Sequence, residues 1–170
     1  MLPKVQTILY ATGLGPGAPY VFRHALNEAE RHQAKIVLLH VMEPLNPFGR
    51  HLVELHISHE QAEQIQEQAR EHAKTRIEER VQKLCDKETC EAPSGENLVQ
   101  EIRVVEGQPH LEIVKQAKEI GADMIVIGSH RHTALGEAML GHTANQVVHR
   151  ADVPVLLVRI PEGYHEEGIE

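Results

Sequence analysis

The segment 123–160 constrains the fold more than any other part of the chain. Two apolar runs, Met124–Ile127 and Val155–Val158, enclose a glycine-bounded loop and a short helical pattern. The first run ends in Gly128-Ser129-His130, and the loop closes at Gly141, where a helix-start pattern follows. A helix start beside glycines exposes unpaired backbone N–H groups and the positive end of the helix dipole. This strand–loop–helix–strand unit therefore predicts a phosphate-binding site.

The remainder of the chain repeats the same two patterns in alternation. Apolar runs typical of buried strands cover residues 4–12, 36–41, 98–105, 123–128 and 155–159, and apolar residues at helical spacing cover 19–33, 59–86, 109–120 and 143–150. This alternation predicts an α/β fold, an open parallel sheet with helices on both faces. Right-handed crossovers would place the loops after the first, second and fourth strands at one edge, where ligands of such sheets bind.

Local signals predict several of the boundaries between these elements. Ser58 with Gln61, and Thr143 with Gln146, match the capping-box pattern that begins a helix. Gly121 follows a helical pattern at a position typical of a helix C-terminus. Residues 44–57 contain two prolines, one glycine and no clear period, which predicts a mobile loop beside the ligand pocket.

Composition and charge exclude several classes of protein. No apolar run reaches the ~18 residues of a membrane span, so no membrane insertion is expected. The N-terminus lacks the features of a signal peptide, and a cytoplasmic location is the expectation. A formal charge of −8 argues against nucleic-acid partners, because neutralising phosphates requires a basic surface.

Five stretches together resemble the universal stress protein family. They are Ile8-Leu9-Tyr10-Ala11-Thr12, Leu39-His40-Val41, Val105-Glu106-Gly107-Gln108-Pro109, Gly121 to His130, and Val153-Pro154-Val155-Leu156-Leu157-Val158. The resemblance implies one universal stress protein domain over residues 1–160, followed by a flexible polar tail over 161–170. It further implies a Rossmann-like, adenine nucleotide α-hydrolase-like sheet of order 3-2-1-4-5. The expected partners are a second copy, bound through the last strand (155–159), and unknown proteins of stress adaptation.

One branch of that family binds ATP through the motif Gly-x2-Gly-x9-Gly-Ser/Thr, and another branch lacks both the motif and the nucleotide. In this sequence Gly128 matches the first glycine and Gly141 the third, with the spacing kept. Arg131 stands at the second glycine, and His142 stands at the hydroxyl position, one residue before Thr143. The resemblance therefore places this chain between the two branches.

The first two strands contribute the remaining expected contacts with ATP or AMP. Gly13 stands where ATP binders usually carry an acidic residue, and Val41 matches the position whose backbone usually meets adenine. We expect a cleft between Thr12-Gly13 and Gly128-Ser129, with the phosphates along the 128–143 loop. Arg131 would either clamp a phosphate through its guanidinium or fill the site.

Several alternatives stay open beside this hypothesis of a nucleotide-binding regulatory module. A nucleotide-free dimeric scaffold of the same family would act through protein contacts alone, and a weak ATPase would hydrolyse the nucleotide, although no pattern specifies a catalytic triad or a base. Gly13 to Ala18 fits a dinucleotide fingerprint, but Pro16 removes an N–H group from it, which favours a simple glycine loop. His130, His132 and His142 could ligate a metal, although a surface histidine cluster is preferred.

Overall fold

The computed structural model describes residues 1–44, 47–87, 94–129 and 141–164. Five strands and five helices follow one another along the chain. In order they are β1 (Thr7–Ala11), α1 (Ala18–His32), β2 (Lys35–Met42), α2 (Pro47–Glu54), α3 (His59–Lys87), β3 (Val99–Glu106), α4 (Pro109–Glu119), β4 (Met124–Ser129), α5 (His142–Arg150) and β5 (Val155–Arg159).

The five strands form one parallel sheet of order β3-β2-β1-β4-β5, which confirms the order implied by the resemblance. β1 lies at the centre, with Ile8 level with Ile36 of β2 and with Met124 of β4. Because the chain leaves β1 towards β2 and leaves β4 towards β5, the order of the strands reverses between β1 and β4. The crevice at this reversal is where open α/β sheets bind their ligands.

Two hydrophobic clusters cover the two faces of the sheet, as the alternation of patterns predicts. On one face, α1 and α3 pack over alternate strand residues through side chains such as Phe22 and Ile77. On the other face, α4 and α5 do the same through Ile113, Ala117 and Val147. Within α3, Ile77 is buried whereas Ile65 is exposed, so only the second half of this long helix covers the sheet.

Two of the three predicted helix boundaries are confirmed. Ser58 and Gln61 exchange backbone-to-side-chain hydrogen bonds at 3.0 and 3.3 Å, the reciprocal pair of a capping box. Gly121 has a φ of +61°, and the N–H of Ala122 donates to Ala117 O at 2.8 Å, which is the geometry of a Schellman motif. The Thr143–Gln146 box is wrong, since α5 begins at His142 after Gly141, and glycine has no side chain with which to cap it.

The prediction of a loop over residues 44–57 is wrong for residues 47–54, which form α2. Phe48, Leu52 and Leu55 recur at helical spacing, but the prolines and the glycine obscured this short period. The three side chains are exposed, so no core contact anchors the helix through them. Within the described ranges, no helix combines the length and the apolarity needed to cross a membrane.

Candidate functional site

A cleft of about 390 Å³ lies at the carboxyl edge of the sheet, at the reversal between β1 and β4. Its walls come from the carboxyl ends of β1, β2 and β4, from residues that follow β1 and β2, from the first turns of α1, α4 and α5, and from the residue after β5. The lining residues are Tyr10 to Gly13, Gly15, Ala18, Val21, Leu39 to Val41, Glu43, Pro109, Ile113, Ile127, Gly128, Gly141 to Ala144 and Ile160. Volumes of this order are typical of small-molecule sites.

The structure brings together seven of the nine residues predicted to bind the nucleotide: Thr12, Gly13, Val41, Gly128, Gly141, His142 and Thr143. Ser129 lies beside Gly128 at the end of β4, buried, and its Oγ has no hydrogen-bond partner within the part of the chain that is described. Arg131 lies outside the described residues. The pocket reaches Glu43, and its lining includes no described residue between 47 and 57, so the position of this segment beside the pocket stays a prediction.

The first turn of α5 presents unpaired backbone donors to the cleft. Gly141 is the N-cap residue, and its carbonyl accepts the N–H of Asn145 at 3.0 Å. The N–H groups of His142, Thr143 and Ala144 lie in the first turn and have no intrahelical partner, and among the described residues no side chain caps them. Such an end, with the positive pole of the helix dipole, favours an anion.

Two histidine rings stand where α4 and α5 begin. His110 and His142 contact each other edge to face, with their ring centroids 5.7 Å apart. His110 was missed by the sequence reasoning, because its place beside α5 depends on how α4 packs and not on local spacing. Among the described residues, no group of three or more His, Cys, Asp or Glu side chains is placed to hold a metal, and His130 and His132 lie outside the described residues.

The two glycines of the predicted phosphate motif have different surroundings. A Cβ atom added to Gly128 would lie 2.8 Å from Val21 Cγ2 and 3.4 Å from Ile160 Cδ1. A Cβ atom added to Gly141 would meet no atom of the described residues within 4 Å, and its φ of −55° and ψ of 148° suit any residue. Packing of α1 against β4 therefore explains Gly128, whereas no described side chain crowds Gly141.

Gly17, the last glycine of the apparent dinucleotide fingerprint, is also explained by packing. A Cβ atom added there would lie 2.5 Å from Ile160 Cδ1, the residue that follows β5. A side chain at Gly17 would thus push against the side chain of Ile160. This contact supports the reading of residues 13–18 as a structural glycine loop.

The backbone of Val41 faces the cleft. Leu39 O accepts the N–H of Thr12, on the β1 side of β2, and Met42 O accepts the N–H of Gly107, on the β3 side. Because alternate residues of a parallel strand address opposite neighbours, the N–H and C=O of Val41 address the β1 side. The β1–β2 ladder has already ended there, and among the described residues no backbone group of β1 pairs with them.

The loop after β1 is held by a contact from the distant helix α3. Leu14 has a φ of +61°, and its N–H donates to Thr12 Oγ1 at 3.2 Å. The guanidinium of Arg80 donates to the carbonyl of the same Leu14. Sequence reasoning missed Arg80, because nothing in the spacing of a charged helix indicates which loop one of its side chains will reach.

Tyr10 lies buried at the base of the cleft. Its hydroxyl donates to Ala18 O in the first turn of α1 at 2.9 Å. Burial raises the pKa of Tyr10 well above its ordinary value, and the hydrogen bond with the Thr12 side chain opposes this effect only in part. The phenol therefore stays neutral and acts as a structural donor.

Comparisons with known proteins agree on one family. A model described as the universal stress protein family matches residues 4–159. The chain is 29% identical over 154 residues to universal stress protein MJ0577 of Methanocaldococcus jannaschii, covering 91% of this chain and 94% of that protein. It is 30% identical over 163 residues to universal stress protein A homolog 2 of Coxiella burnetii, covering 94% and 98%.

Solved structures show the same fold. A structure of hypothetical protein MJ0577 matches with a TM-score of 0.71 and 28% identity, covering 95% of this chain and all of that chain. A universal stress protein solved in complex with cAMP matches with a TM-score of 0.61 and 18% identity, covering 94% of this chain and all of that chain. At that identity the second likeness concerns the fold alone.

Proposed function

Because the chain belongs to the universal stress protein family, we propose that it is a regulatory module that binds an adenine nucleotide, ATP or AMP, in the cleft between β1 and β4. Binding would change the surface offered to partner proteins and so signal the state of stress. The proposal includes a cytoplasmic homodimer formed through residues 155–159, since an exposed apolar edge strand favours pairing with a second copy.

One observation carries the proposal, namely that two sets of backbone groups without a partner among the described residues face the same cleft. The N–H and C=O of Val41 offer a donor and an acceptor, which suits the hydrogen-bonding edge of adenine. The first-turn N–H groups of α5 offer several donors, which suits phosphate oxygens. Val41 and Thr143 are half-buried and His142 is exposed, so a ligand would satisfy both sets in place of solvent.

Glu43 lines the cleft at the end of β2 and carries the carboxylate that the sequence lacks at Gly13. A carboxylate accepts hydrogen bonds from hydroxyl groups, and an acidic residue near this position of α/β folds meets a ribose. We assign Glu43 to the ribose hydroxyls. A universal stress protein solved in complex with cAMP shares this fold, so the fold is compatible with an adenine nucleotide as the class of ligand.

The packing of Gly128 on Val21 favours a second candidate, a nucleotide-free scaffold of the same family. In that case the first glycine of the motif would be present for the fold alone. A weak ATPase is a third candidate, which would require turnover above background. Nucleotide bound to the purified protein separates the nucleotide-binding module from the scaffold, and turnover above background would identify the ATPase.

The decisive experiment is mass spectrometry of the small molecules released from freshly purified protein, followed by calorimetry with ATP and AMP. We expect binding by the wild type and none by Gly141→Val, whose side chain would occupy the approach to the α5 donors. Arg131→Ala should weaken ATP more than AMP if the guanidinium clamps a phosphate, and should strengthen both if it blocks the pocket. No binding by the wild type or by Arg131→Ala would establish the scaffold as the better account.

A further inference from the structure

The β1–β2 ladder ends one hydrogen bond earlier than its register allows. The two strands pair from Thr7 with Lys35 to Ala11 with Leu39, and the N–H of Thr12 continues the ladder by donating to Leu39 O at 2.9 Å. The next bond of a parallel ladder would run from the N–H of Val41 to Thr12 O. That bond is absent from the described backbone pairs.

An imidazole takes the place of the missing bond. His40 Nδ1 lies 2.9 Å from Thr12 O. Because a carbonyl oxygen only accepts, Nδ1 must carry the hydrogen, and it carries it in both the neutral and the protonated ring. Among the described residues the Thr12 carbonyl has no other hydrogen-bond partner.

The two possible donors to Thr12 O lie in different directions. Side chains stand roughly perpendicular to a sheet, whereas ladder hydrogen bonds lie within it. A carbonyl that accepts from the His40 ring is therefore turned away from the line on which the Val41 N–H approaches. The hydrogen bond from the Leu14 N–H to Thr12 Oγ1 stabilises the same turn after β1, but it involves the Thr12 side chain and not the Thr12 carbonyl.

From this geometry we infer that His40 is a positioning residue, which holds the Thr12 carbonyl out of the ladder and thereby keeps the Val41 N–H open to a ligand in the cleft. The inference rests on the proposed function only for the identity of that ligand. Its structural part concerns the protein alone and is tested without nucleotide.

The first test uses NMR to measure amide hydrogen exchange in ligand-free protein, and it compares the wild type with two matched variants of His40. His40→Asn keeps a side-chain N–H donor at the position of Nδ1, and His40→Leu has nearly the same shape without a donor. We expect the Val41 amide to exchange rapidly in the wild type and in His40→Asn. In His40→Leu the ladder should close, and exchange at Val41 should slow by about tenfold, as one added hydrogen bond implies. The amides of Leu9 and Val37, inside the ladder, should stay protected in all three proteins.

Two further outcomes would overturn the inference. Equal exchange at Val41 in His40→Leu and the wild type would show that the loop, and not the imidazole, ends the ladder. The second outcome needs no variant: nitrogen chemical shifts of the wild-type imidazole should show a hydrogen on Nδ1, and a neutral ring protonated on Nε2 alone would contradict the geometry.

Titration with ATP then connects the inference to binding. We expect His40→Leu to bind ATP about tenfold more weakly than the wild type, because the Val41 N–H is consumed by the ladder, and His40→Asn to bind it nearly as well. Equal affinity in His40→Leu, with a closed ladder, would remove the proposed role of Val41 in the ligand contact. Absence of ATP binding by the wild type would refute the proposed function, while the exchange experiment would still decide the role of His40.

Discussion

The two motif glycines should respond in opposite ways to the same added methyl group. In Gly128→Ala the new Cβ would lie 2.8 Å from Val21 Cγ2, and Val21 is only 2% exposed. Neither α1 nor β4 can move without disturbing the core, so we expect a loss of about 1–3 kcal/mol in the free energy of unfolding. Urea denaturation followed by circular dichroism measures this loss directly.

Gly141→Ala should leave the stability nearly unchanged. Its new Cβ would meet no atom of the described part of the chain within 4 Å, and the backbone there suits any residue. Alanine restricts the unfolded chain, which stabilises by about 0.4–1 kcal/mol, but it is a poorer N-cap than glycine, which opposes that gain. We expect a net change below about 1 kcal/mol, together with weaker ATP binding in calorimetry.

The two glycine variants also provide results that would contradict these predictions. Val21→Ala combined with Gly128→Ala should recover part of the loss, giving a coupling energy of about 1 kcal/mol in a double-mutant cycle. Wild-type stability of Gly128→Ala, or additive losses in the cycle, would refute the packing account of Gly128. Unaltered ATP affinity of Gly141→Ala would refute the phosphate site at α5.

Three other predictions follow from single features. Tyr10→Phe should lower stability by up to about 1 kcal/mol at neutral pH, where the hydrogen bond to Ala18 O is lost. Because the pKa of Tyr10 is raised in the folded state, the wild type should lose stability as the pH rises above the ordinary value of 10.0, and Tyr10→Phe should lack this loss. Urea denaturation should therefore show a smaller stability difference between the two proteins at pH 11 than at pH 7. Gln33 ends α1 with a φ of +56°, so Gln33→Gly should raise the midpoint of thermal unfolding, by about 1 kcal/mol in free energy, and a lower midpoint would contradict this account. Light scattering at micromolar concentration should show a dimer, and a stable monomer would exclude pairing through 155–159.

Periodicity was sufficient for most of the fold because the core is made of regular aliphatic faces. It missed α2, where proline and glycine lie among the apolar residues and the helix buries none of Phe48, Leu52 and Leu55. It also placed the start of α5 at a side-chain cap, although Gly141 begins that helix. Local patterns are thus reliable where burial enforces them, and less so at exposed or ligand-facing ends.

The candidate site was predictable to the extent that topology alone determines it. Strand ends and the reversal of strand order bring Thr12, Val41 and Gly128 together, and the family resemblance indicated Val41 and Gly128 among the residues at those ends. The hydrogen bonds of His40 and Arg80 could not, because each depends on the direction of a side chain towards a carbonyl in another element. No spacing in one sequence records that direction.

Ile160 connects the cleft to the end of the last strand. It follows β5 directly, lines the cleft, and contacts the positions of both Gly17 and Gly128. If two copies associate through β5, ligand binding and subunit association act on the same few atoms and form one thermodynamic cycle. Any factor by which ligand strengthens the dimer must then equal the factor by which the dimer strengthens ligand binding. Dilution of the protein would in that case act as a control on nucleotide occupancy, with no change in nucleotide concentration.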